Sequence, residues 1–263
     1  IETNLHKRLL PVERFNLVND TWATTLAGLT SLTDYLKLLD LLRDGDNLNV
    51  WTTVLGSCHH MHRIFDDAQR LVFQGHIRAI LLPAVNRLGW SPQPGESELE
   101  SQLRSELLGA VGTLGEDQTV QEKARQLYAQ FERHPTAVDR NLVPALVSIV
   151  SHTGDKIEYE KFLTNFKNAR TPQEETRFLF ALVNFRQPDL IDRTLKLVLS
   201  AEVRTQNAPY LMRALLFNTT ARETSWSFMK SHWEEMLREF PDNSIPRMCE
   251  GIVALVTRDL ESD

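Results

Sequence analysis

The feature that most constrains the fold is a spacing of three and four residues between apolar side chains, which recurs along nearly the whole chain. The clearest stripe consists of Trp226, Met229, Trp233, Met236 and Phe240. This spacing places side chains on one face of an α-helix, whereas a half-buried strand would alternate apolar and polar residues. No convincing alternation occurs. The sequence therefore predicts an all-α fold, with this stripe in the core.

Helix boundaries follow from the periodicity and from the few chain breakers. Helices are predicted at residues 11–28, 31–43, 47–65, 67–88, 97–114, 118–132, 137–152, 156–168, 172–185, 188–200, 207–218, 222–239 and 243–258. The run Thr171-Pro172-Gln173-Glu174 predicts one helix start, because it places a capping Thr before a Pro and a Glu three residues after the cap. Behind it, Phe178, Leu182 and Phe185 are predicted core residues.

The number of helices predicts the architecture. A helix and its loop occupy about 20 residues and a pair about 40, which is near the period of HEAT-type repeats. Short loops between helices of similar length favour antiparallel neighbours. We therefore expect residues 1–263 to form a single domain, an α-solenoid or superhelix of HEAT-like antiparallel helix pairs with a concave, bowl-like face. A compact multi-helix bundle is the alternative.

Composition excludes several function classes. The formal net charge of −6 offers no electrostatic footprint for nucleic acid. No apolar run has the roughly 18–20 residues that a membrane span needs. The only two cysteines, Cys58 and Cys249, and the absence of a signal-peptide pattern favour a cytoplasmic location. A secretory compartment stays open, and only there would the sequons at Asn19 and Asn218 matter.

The stretch Ser57–Phe65, SCHHMHRIF, contains soft-metal ligand types at Cys58, His59, His60 and His62. On a helix, His62 lies about 40° from Cys58, His59 about 100° and His60 about 200°. Histidines spread in this way cannot close on one ion. We predict a buried thiol beside boundary histidines and no metal ligand. The alternative is an all-helical enzyme with its own metal at this stretch.

The motifs of familiar active sites are missing. The zinc-protease motif H-E-x-x-H does not occur, because none of the eight histidines has another histidine four residues on. There is also no G-x-S-x-G, P-loop or dinucleotide fingerprint. We therefore assign no catalytic residue and no cofactor to the segment.

Six stretches carry a family resemblance. They are Leu10–Trp22, Asn49–Trp51, Leu88–Arg104, Thr171–Leu182, Val203–Asn207 and Ala221–Trp233. In order and spacing they resemble the C-terminal helical domain of aminopeptidase N-type zinc aminopeptidases, a group that includes the puromycin-sensitive and endoplasmic reticulum aminopeptidases. Glu13 and Asn207 stand where that family commonly has Asp.

The resemblance implies a function that the residues alone do not show. A catalytic domain that carries H-E-x-x-H and zinc would precede this one in a larger parent, from which this chain is an excised piece. The helical domain would gate and accommodate peptides from which the parent removes N-terminal residues. Its partners would be the catalytic domain and peptide substrates, and the isolated segment would be inactive. The alternative is a stand-alone α-solenoid that binds proteins or peptides without enzymatic activity.

Candidate substrate contacts lie in two of the matching stretches. Arg204, Gln206, Asn207 and Arg222 offer polar groups at helix ends. The alternative role for these residues is to fix the loops in which they lie.

Overall fold

The computed structural model of the chain describes residues 8–43 and 45–259, with side chains to residue 252. Within these residues every regular element is helical, which confirms the all-α prediction. The α-helices are α1 Pro11–Leu26, α2 Leu32–Leu42, α3 Leu48–Ile64, α4 Asp67–Leu88, α5 Glu98–Thr113, α6 Gln118–Arg133, α7 Val143–Thr153, α8 Lys156–Lys167, α9 Pro172–Ala181, α10 Pro188–Val198, α11 Ala208–Phe217, α12 Arg222–Ser231, α13 Trp233–Glu239 and α14 Ile245–Asp259. Single 3₁₀ turns lie at Pro135–Ala137, Leu182–Asn184 and Asp242–Ser244.

The chain divides into two compact units, residues 1–149 and 150–263. In the first unit, α1 packs on α3 and α3 on α5, so alternate helices form one layer. The helices α2, α4 and α6 each pack against a helix of that layer. This arrangement follows from the amphipathic pattern, since each helix buries one apolar stripe. The single domain and the concave bowl stay predictions.

The core of the first unit takes side chains from each layer. Leu39, Cys58, Ile77 and Leu107 have no exposed surface. The hydroxyl of Tyr35 is also buried there, and it donates a hydrogen bond of 2.6 Å to Ser57 Oγ. A buried hydroxyl needs such a partner, because an unsatisfied polar group in a core is costly.

The second unit has an aromatic core between α8, α9 and the turn after α9. Phe162 packs edge-to-face on Phe178 at 5.5 Å and on Phe185 at 6.0 Å between ring centroids. Leu182 is 1% exposed, so the three predicted core residues of this segment are all buried. The Thr171 hydroxyl accepts a hydrogen bond from Glu174 N at 3.2 Å, which confirms the predicted cap. The Glu174 carboxylate accepts from Arg170 N and not from Thr171 N.

The predicted helix at 137–152 was wrong at its start, because α7 begins at Val143. A 3₁₀ turn ends at Ala137, and Asp139 Oδ1 then accepts a hydrogen bond from Asn141 N at 3.1 Å. An Asp side chain that binds the backbone two residues on closes a turn in competition with a helix.

The predicted helix at 222–239 is also wrong, because it breaks at His232 into α12 and α13. The Ser231 hydroxyl donates to the Phe228 carbonyl, and the His232 ring stacks on Phe228 at 4.1 Å between centroids. Ser231 Oγ and His232 Nδ1 both lie 2.9 Å from the Phe228 carbonyl oxygen, so side chains satisfy this carbonyl and no Gly or Pro is needed to end α12. In the apolar stripe Met229, Met236 and Phe240 are buried, but Trp226 and Trp233 are only half-buried.

Candidate functional site

Three of the predicted substrate contacts lie before and at the start of α11. Arg204 is exposed, and its Nη2 lies 2.7 Å from Glu175 Oε2 on α9. Gln206 is exposed, and Asn207 is half-buried at the N-cap of α11 without a capping hydrogen bond from its side chain. Of the three, only Arg204 has a positive charge that could pair with a peptide carboxylate, but this charge is already paired with Glu175.

The fourth predicted contact, Arg222, lies at the first position of α12 and is 1% exposed. The turn before it depends on Asn218. Asn218 Nδ2 donates to the Val183 carbonyl at 2.6 Å, and its Oδ1 accepts from Thr220 N at 2.9 Å. A side chain that satisfies groups of two segments fixes a loop. The packing thus favours the structural alternative for Arg222, and its role in substrate contact stays a proposal.

The SCHHMHRIF stretch lies on α3, where its ligand types point in different directions. Cys58 has no exposed surface, and burial raises the pKa of its thiol to about 12. The His60 ring packs edge-on against Trp22 of α1 at 5.5 Å between centroids, while His59 is exposed. Across the part of the chain that the structure describes, no group of three or more His, Cys, Asp or Glu residues is placed to hold a metal ion.

A cleft of about 470 Å³ lies in the first unit along α3, α5 and α7. Four of its lining residues are small, namely Gly56, Gly109, Ala110 and Ala145. Its polar lining consists of Thr52, His59, Ser105, Glu106, Thr113 and Ser148. An open cleft with small lining residues and several hydrogen-bonding groups is suited to a short extended segment, because such a segment carries free backbone donors and acceptors.

Two glycines of α5, Gly109 and Gly112, allow α5 to pack close to α7. A Cβ atom at Gly112 would lie 2.6 Å from Ile149 Cγ1, whereas one at Gly109 would meet Ala145 at an ordinary 3.9 Å. Glycine inside a helix weakens the helix by roughly 0.5–1 kcal/mol relative to alanine. A glycine on a packed face is therefore expected where a neighbouring helix comes so close that its atoms offset this loss. Gly112 is such a position, since Ile149 of α7 fills the space that a side chain at residue 112 would take.

Polar contacts connect the cleft walls. Thr52 Oγ1 on α3 donates to Glu106 Oε2 on α5 at 3.2 Å, and Gln102 Nε2 donates to the other oxygen of Glu106 at 2.9 Å. Desolvation by neighbouring groups, and then the charge of Arg63, lower the pKa of His59. A lowered pKa makes His59 a neutral hydrogen-bonding group at neutral pH.

A buried guanidinium fixes the beginning of α5 beside the cleft. The Arg104 side chain is 1% exposed and pairs with Glu96, whose side chain is 7% exposed. Arg104 Nε donates to the Leu88 carbonyl at 3.2 Å, and Nη1 lies 3.6 Å from Asp139 Oδ2. Arg104 thereby connects the end of α4, the loop before α5 and the segment before α7. We call Arg104, Glu96 and Asp139 the Arg104 cluster.

The cluster keeps Glu96 ionised. Burial acts to raise the pKa of Glu96, but hydrogen bonds from Gln93 N and from Arg104, together with the Arg104 charge, hold it below its ordinary value. In the sequence, Leu88–Arg104 was recognisable only as a motif match. The structure explains the spacing of this motif. The Leu88 carbonyl at its first residue and the Glu96 carboxylate within it both contact the buried guanidinium of Arg104, its last residue.

The cleft was not predicted from the sequence, because it carries no catalytic or metal motif. The available signal was Gly109 and Gly112 inside the periodic helix α5, because interior glycines in a helix indicate close packing or function. The partner helices α3 and α7 are distant in sequence, so no local pattern could assign them to the same cleft.

Comparison with known proteins identifies the family. A family model described as "ERAP1-like C-terminal domain" matches residues 1–263. The chain belongs to this family. It is homologous to the C-terminal part of M1 aminopeptidases, which confirms the resemblance seen in the six stretches.

Among the similar proteins are Aminopeptidase M1-D of Oryza sativa subsp. japonica, which is 28% identical over 258 residues, and Aminopeptidase M1 of Arabidopsis thaliana, which is 29% identical over 239 residues. Alanine/arginine aminopeptidase of Saccharomyces cerevisiae is 26% identical over 241 residues. The matches cover 95%, 86% and 90% of this chain, but only 29%, 26% and 28% of those three proteins. The chain thus spans less than a third of the length of these relatives.

Proposed function

We propose that the chain is the substrate-gating and peptide-accommodating domain of a zinc aminopeptidase that removes N-terminal residues from peptides. The observation that carries the proposal is the family match over residues 1–263, together with relatives named as aminopeptidases. Zinc belongs, on this proposal, to the catalytic domain of the parent, and no chemical step uses a residue of this chain. The partners are that catalytic domain and peptides, and the proposed location is cytoplasmic.

The cleft on α3, α5 and α7 supports the peptide-accommodating part of the proposal. Its volume of about 470 Å³ lies within the range of roughly 300–1,000 Å³ that is usual for ligand sites. The Thr52 hydroxyl, which donates to Glu106, can still accept a hydrogen bond from a peptide N–H, and the Glu106 carboxylate beside it is a further acceptor. The small lining residues Gly56, Gly109, Ala110 and Ala145 leave room for the peptide chain. The cleft therefore would hold the part of a peptide away from the scissile bond.

Arg204, Gln206, Asn207 and Arg222 remain second-choice contacts. Arg204 and Gln206 are exposed in the second unit, so a peptide reaching that unit could contact them. Their geometry contributes less support than the cleft, because Arg204 is paired with Glu175 and Arg222 is buried.

Peptide titration of the isolated chain, followed by amide chemical shifts, tests the proposal. We expect weak binding in the millimolar range, with shifts concentrated at Thr52, Gly56 and Ser105. We also expect no turnover of chromogenic aminoacyl substrates by this chain alone, and turnover by the full-length parent. Chelator-sensitive turnover by the isolated chain would contradict the proposal, and so would the absence of peptide-dependent shifts at millimolar peptide.

A stand-alone α-solenoid that binds peptides or proteins is the second candidate. The same cleft would serve it, so peptide binding does not separate the two. The coding sequence upstream of Ile1 does: an H-E-x-x-H motif in the same reading frame supports the aminopeptidase domain, and a start codon directly before Ile1 supports the stand-alone protein.

A further inference from the structure

A second groove, of about 420 Å³, lies in the first unit between α2 and α4. Its lining is almost wholly apolar and consists of Leu32, Leu36, Phe65, Ala68, Val72 and Phe73. Gln69 and His76 add hydrogen-bonding groups. The groove takes no part in the peptide cleft, which is lined by α3, α5 and α7. We call it the α2–α4 groove.

Large apolar side chains are exposed in and near this groove. Val72 in its wall is 67% exposed, and the neighbouring Leu71 is 70% exposed. Leu29, in the loop that leads into α2, is 80% exposed. Single exposed apolar residues are ordinary, but several beside an apolar groove indicate a surface that another molecule or domain covers.

The exposed apolar residues are also unevenly distributed along the chain. Eleven large apolar residues are exposed among the side chains described. Seven of them, Leu10, Val12, Phe15, Leu26, Leu29, Leu71 and Val72, lie before residue 73, and the other four are spread over the remainder. Among the described side chains, the uncovered apolar surface is thus concentrated in α1, in the segments just before and after α1, and in α4.

We propose that the α2–α4 groove is the docking surface for the domain that precedes this one in the parent polypeptide. This inference rests on the proposed function, and it assigns a surface to the intramolecular partner. The relatives provide the occupant, since this chain accounts for only 26–29% of the length of the three named aminopeptidases. The chemistry of the groove requires an apolar ridge of Leu- or Phe-sized side chains, flanked by a group that hydrogen-bonds Gln69 or His76.

A second copy of this chain fits the groove less well. A two-fold interface brings the same patch of both copies together, so the patch must be self-complementary. A concave groove that meets its own copy leaves space between the two walls, and buried space forfeits packing energy. A convex ridge from a different domain fills the groove and covers Leu71 and Val72 at the same time.

Thiol labelling provides the test. Leu71→Cys places a thiol beside the groove, and Leu99→Cys on α5 places one at a matched exposed position, since Leu99 is 62% exposed and lies outside the groove lining. Each variant is made in the 263-residue chain and in the full-length parent, and alkylation at each site is followed by peptide mass spectrometry. In the isolated chain we expect both thiols to react at similar rates. In the parent we expect Cys alkylation at position 71 to slow several-fold, with position 99 unchanged.

The result separates the docking proposal from the proposed function. Equal labelling at position 71 in the chain and in an active parent overturns docking and leaves the aminopeptidase function standing. Slow labelling in a parent that does not cleave peptides supports docking and overturns the function. Labelling at position 71 that slows as the isolated chain is concentrated, without change at position 99, assigns the groove to a second copy and overturns the proposal.

A substitution in the parent gives an independent readout. Val72→Lys puts a charge into the groove, whereas Leu99→Lys is the control at an exposed site outside it. We expect limited proteolysis to separate the domains faster in the Val72→Lys parent than in the wild type, with no change for Leu99→Lys. Because Val72 is exposed in the isolated chain, we expect that chain to keep its unfolding midpoint; equal proteolysis of both parents contradicts docking.

Discussion

The cleft of the first unit and the segment from Arg204 to Arg222 of the second both carry polar side chains at helix surfaces, but they use them differently. In the segment, Arg204 pairs with Glu175, Arg222 is buried and the Asn218 amide holds a turn together. In the cleft, the exposed Thr52 side chain and the half-buried Glu106 carboxylate, which hydrogen-bond each other, both line an open surface. A polar residue therefore indicates a binding site only when the packing leaves its groups accessible to a ligand.

The largest expected effect comes from the cluster that fixes the cleft. Arg104→Met leaves Glu96 without its buried partner, and removal of one member of a buried ion pair costs about 3–5 kcal/mol. We expect a loss of that size in the free energy of unfolding, measured by urea denaturation, together with weaker peptide binding. A loss below about 1 kcal/mol, the value typical of surface pairs, would show that the cluster does not hold the cleft.

The same cluster predicts a pH dependence. Since the pKa of Glu96 is lowered in the folded state, its stabilising contribution is fully present above the unfolded value of about 4.3. It is lost as the pH falls through the lowered folded pKa. Unfolding free energies measured from neutral pH to about pH 3 should fall less steeply in Glu96→Gln than in the wild type. Parallel profiles for the two proteins would contradict this assignment.

Gly112→Ala should destabilise the contact between α5 and α7. The new Cβ would lie 2.6 Å from Cγ1 of Ile149. Ile149 is fully buried, so its side chain cannot move aside into solvent. Overpacking costs typically about 1–3 kcal/mol, offset only in part by the better helix propensity of alanine, about 1 kcal/mol. Thermal unfolding measures the net loss. The pair Gly112→Ala with Ile149→Val should recover part of it, and no recovery would place the strain elsewhere.

Gly56→Ala is the matched change with the opposite expected sign. A Cβ at Gly56 meets nothing within 4 Å, so we expect a gain of up to about 0.5–1 kcal/mol in unfolding free energy. The same methyl group takes up space in the cleft that Gly56 lines, and peptide titration should show a higher Kd. Peptide affinity that rises or stays the same would remove Gly56 from the proposed binding surface.

The smallest effect is expected at Arg204. The Arg204 side chain is 55% exposed, and Arg204→Ala should change stability by less than about 1 kcal/mol because exposed ion pairs contribute little. If the cleft is the peptide site, Kd should also stay unchanged. A clear loss of peptide affinity in Arg204→Ala, with unfolding unaffected, would move the site to the second unit and reverse the comparison.

Local chemistry explains which predictions from the sequence succeeded. The Thr171 cap and the burial of Phe178, Leu182 and Phe185 depend on residues within a few turns of one another, so their pattern was sufficient. The break between α12 and α13 at His232 was not predicted, because it depends on a stacked histidine ring and no Gly or Pro marks it in the sequence. The sequence placed His60 about 200° around the helix from Cys58, but it could not show that the ring meets Trp22 there, because Trp22 lies on a different helix.

The sequence by itself determined the helical class, the family and the absence of an H-E-x-x-H motif in this chain, because each is written in local spacing or in ordered motifs. Only the tertiary structure decided which polar residues are accessible. It buried Arg222 and Arg104, paired Arg204, and opened a cleft where Gly56, Gly109 and Ala145 come together. The physical reason is that the accessibility of a side chain depends on packing between helices far apart in the chain. Helical periodicity shows which face of each helix is buried, but not which helices pack together.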